Sequence, residues 1–289
     1  MSQRSFAIVT PSFNQGRFLR RTIESVLSQD VGELDYFIAD GRSTDETVDV
    51  LKSYGNRIRW VSEKDDGQAD AVNKGIKATS APLIGWLNSD DVYEPGALAK
   101  VESYFARHPE VDVVYGRACH IDAQDSIIEP YPTEPWDLAR LREICYLCQP
   151  AVFFRRRVVK RCGGLDATLR YCMDYEYWLR LAEGGCQFAA IPFKLAGSRL
   201  YPTNKTLGSR LAVHAEINNM LLARYGAVPR RWLVGYAVVL MQQWGIPTNV
   251  RYLSGLVRRL VTLYVLKKWP VLVDLDSVLV QTLRPRRAA

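Results

Sequence analysis

Histidine is scarce in this chain, and the scarcity removes several chemistries at once. His108, His120 and His214 are unclustered, so no imidazole-based metal or proton-transfer site is expected. Cysteine is thinly spread as well: Cys119, Cys145, Cys148, Cys162, Cys172 and Cys186 are scattered through 289 residues. Cys145 and Cys148 form a C-x-x-C, but no second pair follows at zinc-ribbon spacing and no His lies close enough to complete a finger. Reduced structural thiols are the expectation. Long apolar runs are missing, since stretches such as Trp232 to Met241 fall short of the ~20 residues that cross a bilayer. Met1 to Ala7 has no charged head followed by an apolar stretch, so the reading is of a protein without a secretory signal that faces the cytosol. Internal repeats and low-complexity tracts are absent too.

What remains is an ordinary globular composition, 48% hydrophobic and 24% charged. Its length suits one large domain plus an appendage. The net charge of +7 is unevenly placed. From Arg251 to the C-terminus eight basic side chains stand against two acidic ones, a local balance of +6. No nucleic-acid-binding motif accompanies this basic tail, and no nucleic-acid partner is expected.

Short apolar runs alternate with helical patterns along the first half. Phe6-Ala7-Ile8-Val9, Tyr36 to Ala39, Ile58 to Val61 and Pro82 to Leu87 read as strands. Gly16 to Ser28, Asp45 to Tyr54 and Gln68 to Thr79 read as helices, with Thr44 or Asp45 available as a cap. This order implies βαβ units, an α/β class and a mainly parallel sheet. Ligands gather at the carboxyl ends of such strands. Thr10-Pro11-Ser12, Asp40-Gly41, Glu63 to Gly67 and Asn88 to Asp91 all fall there. The second stretch predicts strands at Val111 to Gly116 and Ala151 to Phe154 and a helix over Tyr171 to Glu183. Beyond Leu200 the texture becomes helical, over His214 to Tyr225, Trp232 to Trp244 and Val250 to Lys268.

The adjacent carboxylates Asp90 and Asp91 close an apolar run, where unpaired charge is costly unless a cation shares the site. A hard dication accepts carboxylate oxygens and leaves positions open for phosphate. Thus a metal–diphosphate site is the first expectation from the residues alone.

Taken in order, these blocks resemble the family 2 nucleotide-sugar glycosyltransferases of GT-A fold, over about residues 5 to 205. The resemblance rests on Thr10-Pro11-Ser12-Phe13-Asn14, on Asp40-Gly41-Arg42-Ser43-Thr44-Asp45, and on Ser62-Glu63 with Asp65, Gly67, Asp70, Asn73 and Gly75. It continues through Asn88-Ser89-Asp90-Asp91, Gln149-Pro150, and Asp174 in Met173-Asp174-Tyr175-Glu176. It implies a GT-A Rossmann-like sheet flanked by helices in residues 1–205, with a nucleotide-binding half (1–115) and an acceptor-binding half (116–205). Residues 206–289 would then be a helical C-terminal extension. The implied activity is metal-dependent, inverting transfer of a sugar from a UDP-, GDP- or dTDP-sugar to a glycan or lipid-linked acceptor, in cell-surface polysaccharide or cell-wall assembly. Asp40, Thr10, Pro11, Ser12 and Phe13 match the base-enclosing positions. Asp65 and Asp70 match donor contacts, Asp91 the Mg²⁺ or Mn²⁺ ligand, Asp90 a ribose or metal-supporting partner, and Asp174 the catalytic base. Glu176, two residues along the same helix, is an alternative base pointing to another face.

The chain departs from the family pattern twice. Asn88 replaces an acid, which makes sugar or ribose contact by that position less secure. Tyr201 stands where relatives often carry His, leaving Arg199 or Lys205 to neutralise the diphosphate. A sugar-nucleotide pyrophosphorylase is a weaker reading, because the loop after Val9 is not the Gly-rich loop a triphosphate wants. A non-catalytic carbohydrate- or nucleotide-sugar-binding protein is a second, opposed by the intact Asp91 and Asp174. In the tail, Val250 to Leu283 mixes apolar residues such as Leu256, Leu260, Leu263 and Leu266 with Arg258, Arg259, Lys267 and Lys268. That make-up suits a helix lying peripherally on the cytoplasmic membrane surface, or else a helical cap on the catalytic domain.

Overall fold

The computed structural model describes residues 5–246 and 263–270. In chain order the elements are β1 (Phe6–Ser12), α1 (Gly16–Leu27), β2 (Asp35–Asp40), α2 (Thr47–Ser53), β3 (Arg59–Ser62), α3 (Gln68–Ala78), β4 (Leu83–Trp86), β5 (Val92–Tyr93) and α4 (Ala97–Arg107). There follow β6 (Val113–Ile121), β7 (Ile127–Pro130), α5 (Leu138–Glu143), β8 (Val152–Arg155), α6 (Arg156–Cys162), α7 (Met173–Glu183), β9 (Phe188–Arg199), α8 (Lys205–Gly208), α9 (Arg210–Tyr225) and α10 (Arg230–Gln243). The chain divides into two compact units. One comprises residues 1–141 and 145–208, the other residues 142–144 and 209–289.

The first unit is built on one sheet in the order β3-β2-β1-β4-β8-β6-β9-β5, with β7 paired to β6. β3, β2, β1 and β4 run parallel, and their successive connections are helices. β8 then enters antiparallel to both β4 and β6. β1 and β2 are buried along their whole length, which is why their sequences are continuous apolar runs and not alternations. Phe6, Ile8, Leu19, Ile23, Ile38, Leu51 and Phe153 meet in the main core.

β1 extends further than the apolar run suggests and takes in Thr10, Pro11 and Ser12. Pro11 is tolerated in a central strand for a local reason. The carbonyls of Val9 and Ser12 point to opposite neighbours, receiving the N–H of Leu87 and of Gly41 respectively. By that alternation the missing N–H of Pro11 lies on the β4 side, where the pairing has already stopped at Val9 and Trp86. β1 and β4 therefore part beyond Val9 and Trp86, and a polar crevice opens between them at the carboxyl edge.

In the second unit α9 and α10 pack together. Trp269 meets Tyr236 edge-on with ring centroids 4.8 Å apart, and its indole N–H donates to Asn219 Oδ1 at 2.9 Å. Of the helix expected over Val250 to Lys268, residues 250–262 lie outside the described residues; residues 263–268 are helical.

Candidate active site

Two loops form the first wall. Asn14 and Arg42 adopt left-handed backbone conformations, φ 52° and 67°, on the loops after β1 and β2. The loops are stitched together there. Asn14 N–H donates to Ser43 Oγ at 2.7 Å, and Thr44 N–H donates to Asn14 Oδ1 at 2.8 Å. Asp45 joins two elements, accepting from Gly16 N–H at 3.0 Å and Thr47 N–H at 3.0 Å, so it supports the starts of α1 and α2 together.

Asp40 ends β2 inside this wall and is buried. Its carboxylate accepts from Ser43 Oγ at 2.5 Å, Ser43 N–H at 3.0 Å and Ser62 Oγ at 2.6 Å. Gly41 follows because Asp65 leaves no space: a Cβ at Gly41 would lie 2.7 Å from Asp65 Oδ2. Asp65 also accepts from Gly67 N–H at 2.9 Å. Burial raises its pKa, aided by the charges of Asp70 and Asp40 and opposed by Gly67 N–H and Lys74. Asp70 bonds Asp66 N–H and pairs with Lys74 at 3.3 Å. Phe13 is 61% exposed beside this crevice, while the buried Ser12 hydroxyl has no hydrogen-bond partner. Thr10 departs from expectation. It is fully buried, and its hydroxyl shares a hydrogen bond with Tyr36 OH at 3.2 Å, so its side chain belongs to the core and does not enclose a base.

The second wall is the turn after β4. Asn88 is its junction. Its Oδ1 accepts from Gln68 Nε2 at 2.7 Å and Trp86 Nε1 at 2.9 Å, and its amide donates to Gln149 Oε1 at 2.8 Å and Asp91 Oδ2 at 3.3 Å. An acid here could make none of those donations. Asp91 is 4% exposed, and its Oδ1 accepts Arg199 N–H at 2.8 Å. Asp90 is less buried, and Tyr201 OH donates to its Oδ2 at 2.8 Å. Desolvation drives the pKa of Asp91 well up, reinforced by the charge of Asp90; desolvation raises Asp90 too, against the Tyr201 hydrogen bond.

Arg199 corrects the expectation of a diphosphate ligand. Its side chain is fully buried. Nε donates to Asp90 O at 2.6 Å, Nη1 to Asp122 O at 2.5 Å, and Nη2 pairs with Asp125. The guanidinium pins the Asp90 turn to the β6–β7 hairpin and has no face left for a ligand. Lys205 is exposed instead, and its charge reaches Asp90. Its Nζ donates to Gln68 Oε1 at 2.8 Å and Arg170 O at 3.1 Å.

Asp174 lies in the first turn of α7 and is half-buried. Arg170, four residues earlier, donates to Asp66 O. The segment entering α7 thus leans on the Asp65 loop and on Lys205. The Cys148 thiol lies within electrostatic reach of both Asp91 and Asp174. Burial raises the Cys148 thiol well above its ordinary value, and the charges of Asp91 and Asp174 both add to that. Glu176 is buried and pairs with Arg180 at 2.9 Å; Arg180 also donates to Cys162 O and Gly164 O. It is a structural acid.

The structure therefore brings Asp40, Asp65, Asp70, Asn88, Asp90 and Asp91 to one rim, with Asp174 beside it. Sequence reasoning missed Gln15 and Gln68, and gave Ser62 no role of its own. A Gln opening a helix reads as a helix former, and nothing in spacing announces that Gln68 bridges Asn88 and Lys205. The six cysteines are free thiols.

A model of the family described as Glycosyl transferase family 2 matches residues 7–163. A PGL/p-HBAD biosynthesis glycosyltransferase of Mycobacterium bovis is 28% identical over 189 residues, 62% of this chain and 70% of the relative. Chondroitin synthase of Escherichia coli is 27% identical over 231 residues, 76% of this chain but 33% of the synthase. Among solved structures, Staphylococcus aureus TarS 1-349 in complex with UDP-GlcNAc superposes with a TM-score of 0.61 at 13% identity, covering 92% of this chain and 82% of that one. The mannosyltransferase PcManGT from Pyrobaculum calidifontis, in complex with GDP-Man and Mn²⁺, gives 0.61 at 15% identity, covering 98% and 80%. These likenesses establish the GT-A fold. The match over more than half its length makes this chain a member of glycosyl transferase family 2, a glycosyltransferase.

Proposed function

We propose that this glycosyltransferase moves a sugar from a nucleotide-sugar donor to a glycan or lipid-linked acceptor, with inversion, in surface polysaccharide or glycolipid assembly. The observation that carries the reading is the meeting of the Asp40 wall, the Asp90–Asp91 turn and the start of α7 at one rim. Residues 1–205 would be the catalytic domain, split near residue 115 into donor and acceptor halves, and residues 206–289 an appendage.

The donor set fits a divalent ion, Mg²⁺ or Mn²⁺. Two desolvated carboxylates with raised pKa values sit side by side, an arrangement that a dication relieves. Among the described residues no three His, Cys, Asp or Glu side chains converge as a complete cage. Such an ion commonly takes one or two protein carboxylates and fills its shell with phosphate oxygens and water. Asp90 suits the ligand role better than Asp91. Asp91 is buried with both oxygens engaged, whereas among the described residues Tyr201 is the one side chain donating to Asp90. When bound, the ion offsets charge on the departing nucleoside diphosphate.

The chain's own groups do the rest. Asp40, its carboxylate held by Ser43 and Ser62, shapes the wall of the base pocket, and the exposed Phe13 ring offers a stacking surface. Asp174 accepts the proton of the acceptor hydroxyl as that oxygen bonds to the anomeric carbon. The bond to the diphosphate breaks with its electron pair going to the diphosphate. One displacement from the opposite side inverts the centre. Lys205 adds positive charge at the rim.

Asp174→Asn tests the role of the base. Transfer is expected to fall by about 10²–10⁴-fold with nucleotide binding kept. Unchanged transfer would remove Asp174 from the reaction.

A further inference from the structure

Tyr201 is the residue that holds the Asp90 carboxylate, and its own hydroxyl is held in turn. Gln15 Nε2 donates to Tyr201 OH at 2.9 Å, and of the two acceptors the phenolic proton can reach, Asp90 Oδ2 at 2.8 Å is much nearer than Gln15 Oε1 at 3.4 Å. The ring has little freedom. It is 8% exposed, lies 5.0 Å from the Phe18 ring, and carries the Arg17 guanidinium 5.0 Å from its centroid. The same short stretch grips the turn twice more. Arg199 N–H bonds Asp91 Oδ1, and Arg199 Nε bonds Asp90 O. Residues 199–201 therefore fix Asp90 by its backbone and by one carboxylate oxygen, which sets the direction of the other.

We propose that Tyr201 is a positioning residue for cation and nucleotide binding, acting through Asp90, and that Gln15 acts through Tyr201. This rests on the reading of Asp90 as the ion-facing carboxylate. A phenol differs from an imidazole here in a way that matters. At neutral pH it can donate but does not readily ligate a hard dication, so the hydroxyl orients Asp90 without competing for the ion. Arg17 and Phe18 clamp the ring at the start of α1, so the orientation is inherited from the same helix that Asp45 anchors.

The test uses the full-length protein, with manganese(II) chloride titrated in the presence of UDP or of GDP and free Mn²⁺ read by electron paramagnetic resonance. Asp90→Asn should abolish the ion-dependent part of nucleotide binding. Tyr201→Phe keeps the ring and removes the hydroxyl, and should weaken Mn²⁺–nucleotide binding by about tenfold while metal-free nucleotide affinity and thermal stability stay near the parent values. Gln15→Leu should weaken it less, and the double variant should be no worse than Tyr201→Phe alone. Parent-like Mn²⁺ affinity in Tyr201→Phe, with Asp90→Asn inactive in binding, overturns the role of Tyr201 and leaves the donor-site reading standing. An additive double variant overturns the relay from Gln15. If the parent protein binds Mn²⁺ with neither nucleotide, the donor-site reading itself fails and this inference falls with it.

Discussion

Two buried acids in this molecule have opposite electrostatic fates, and the difference separates scaffold from site. Asp112 is almost fully buried, yet its pKa is lowered. Burial pushes it up, but Arg157 at 2.6 Å, Gln187 N–H at 3.1 Å and Arg161 at 2.9 Å outweigh that. Asp91 has no comparable partners, and its pKa rises. A carboxylate paired with cations serves the fold, whereas the like-charged pair Asp90–Asp91, of which Asp90 keeps the freer carboxylate, marks a place for a dication. For Asp112 the folded pKa lies below the unfolded value, so its contribution is complete above the unfolded value and is lost as pH falls through the folded one. Asp112→Asn should therefore cost about 2 kcal/mol in urea unfolding at pH 7, and the gap between variant and parent should close below about pH 4. A gap that is constant with pH would show that packing, and not charge, is at stake. At this scale the sequence was legible where chemistry is rare, as in Asp90-Asp91. It was not legible for Arg199, because a single Arg before a turn fits a phosphate and a buried hairpin clamp equally well.

Elements were readable where their partners are local. β1 through β4 and the helices between them follow from apolar runs and 3.6-residue spacing, because β1, β2 and β3 pair in succession one βαβ unit apart and β4 returns to the free edge of β1. β9 was not. It runs for 12 residues past Pro192 and Gly197, and register shifts against β6 break its alternation. Nothing in the spacing marks its end at Ser198 and Arg199 as strand, so the environment of Arg199 is hidden with it. The placement of α3 shows how tightly such units are built. Gly75 faces Val9 on β1 so closely that a Cβ would overlap the valine methyls. That contact seats the start of α3, and hence Gln68, Asp70 and the Asp65 loop, against the sheet. Gly75→Ala should destabilise the protein by about 1–3 kcal/mol and weaken nucleotide binding more than Gly55→Ala, where a Cβ meets nothing within 4 Å and only the positive φ is strained. Equal effects from the two would detach α3 packing from the site.

On the scale of the whole molecule, charge and exposed apolar surface accumulate in the second unit. Trp244 is 58% exposed, Leu263 63% and Tyr264 54%, with Lys267 and Lys268 exposed close by in sequence. Among the described residues no helix is long and apolar enough to cross a membrane. We propose that these exposed apolar and basic side chains make an interfacial contact with an anionic membrane surface. Co-sedimentation with phosphatidylserine-containing vesicles should be seen at low salt and fall as salt rises; failure to sediment at any ionic strength would leave the unit a helical cap. Donor and ion, however, would meet at the rim of the sheet. The most direct measurement is thermal unfolding of the full chain against UDP-, GDP- and dTDP-sugars, each with Mn²⁺ and after chelation. A ligand that binds only the folded form raises the transition temperature, so one nucleotide class should shift it upward and chelation should erase the shift. A transition that no nucleotide sugar moves, or one moved equally with the metal stripped away, would contradict the account.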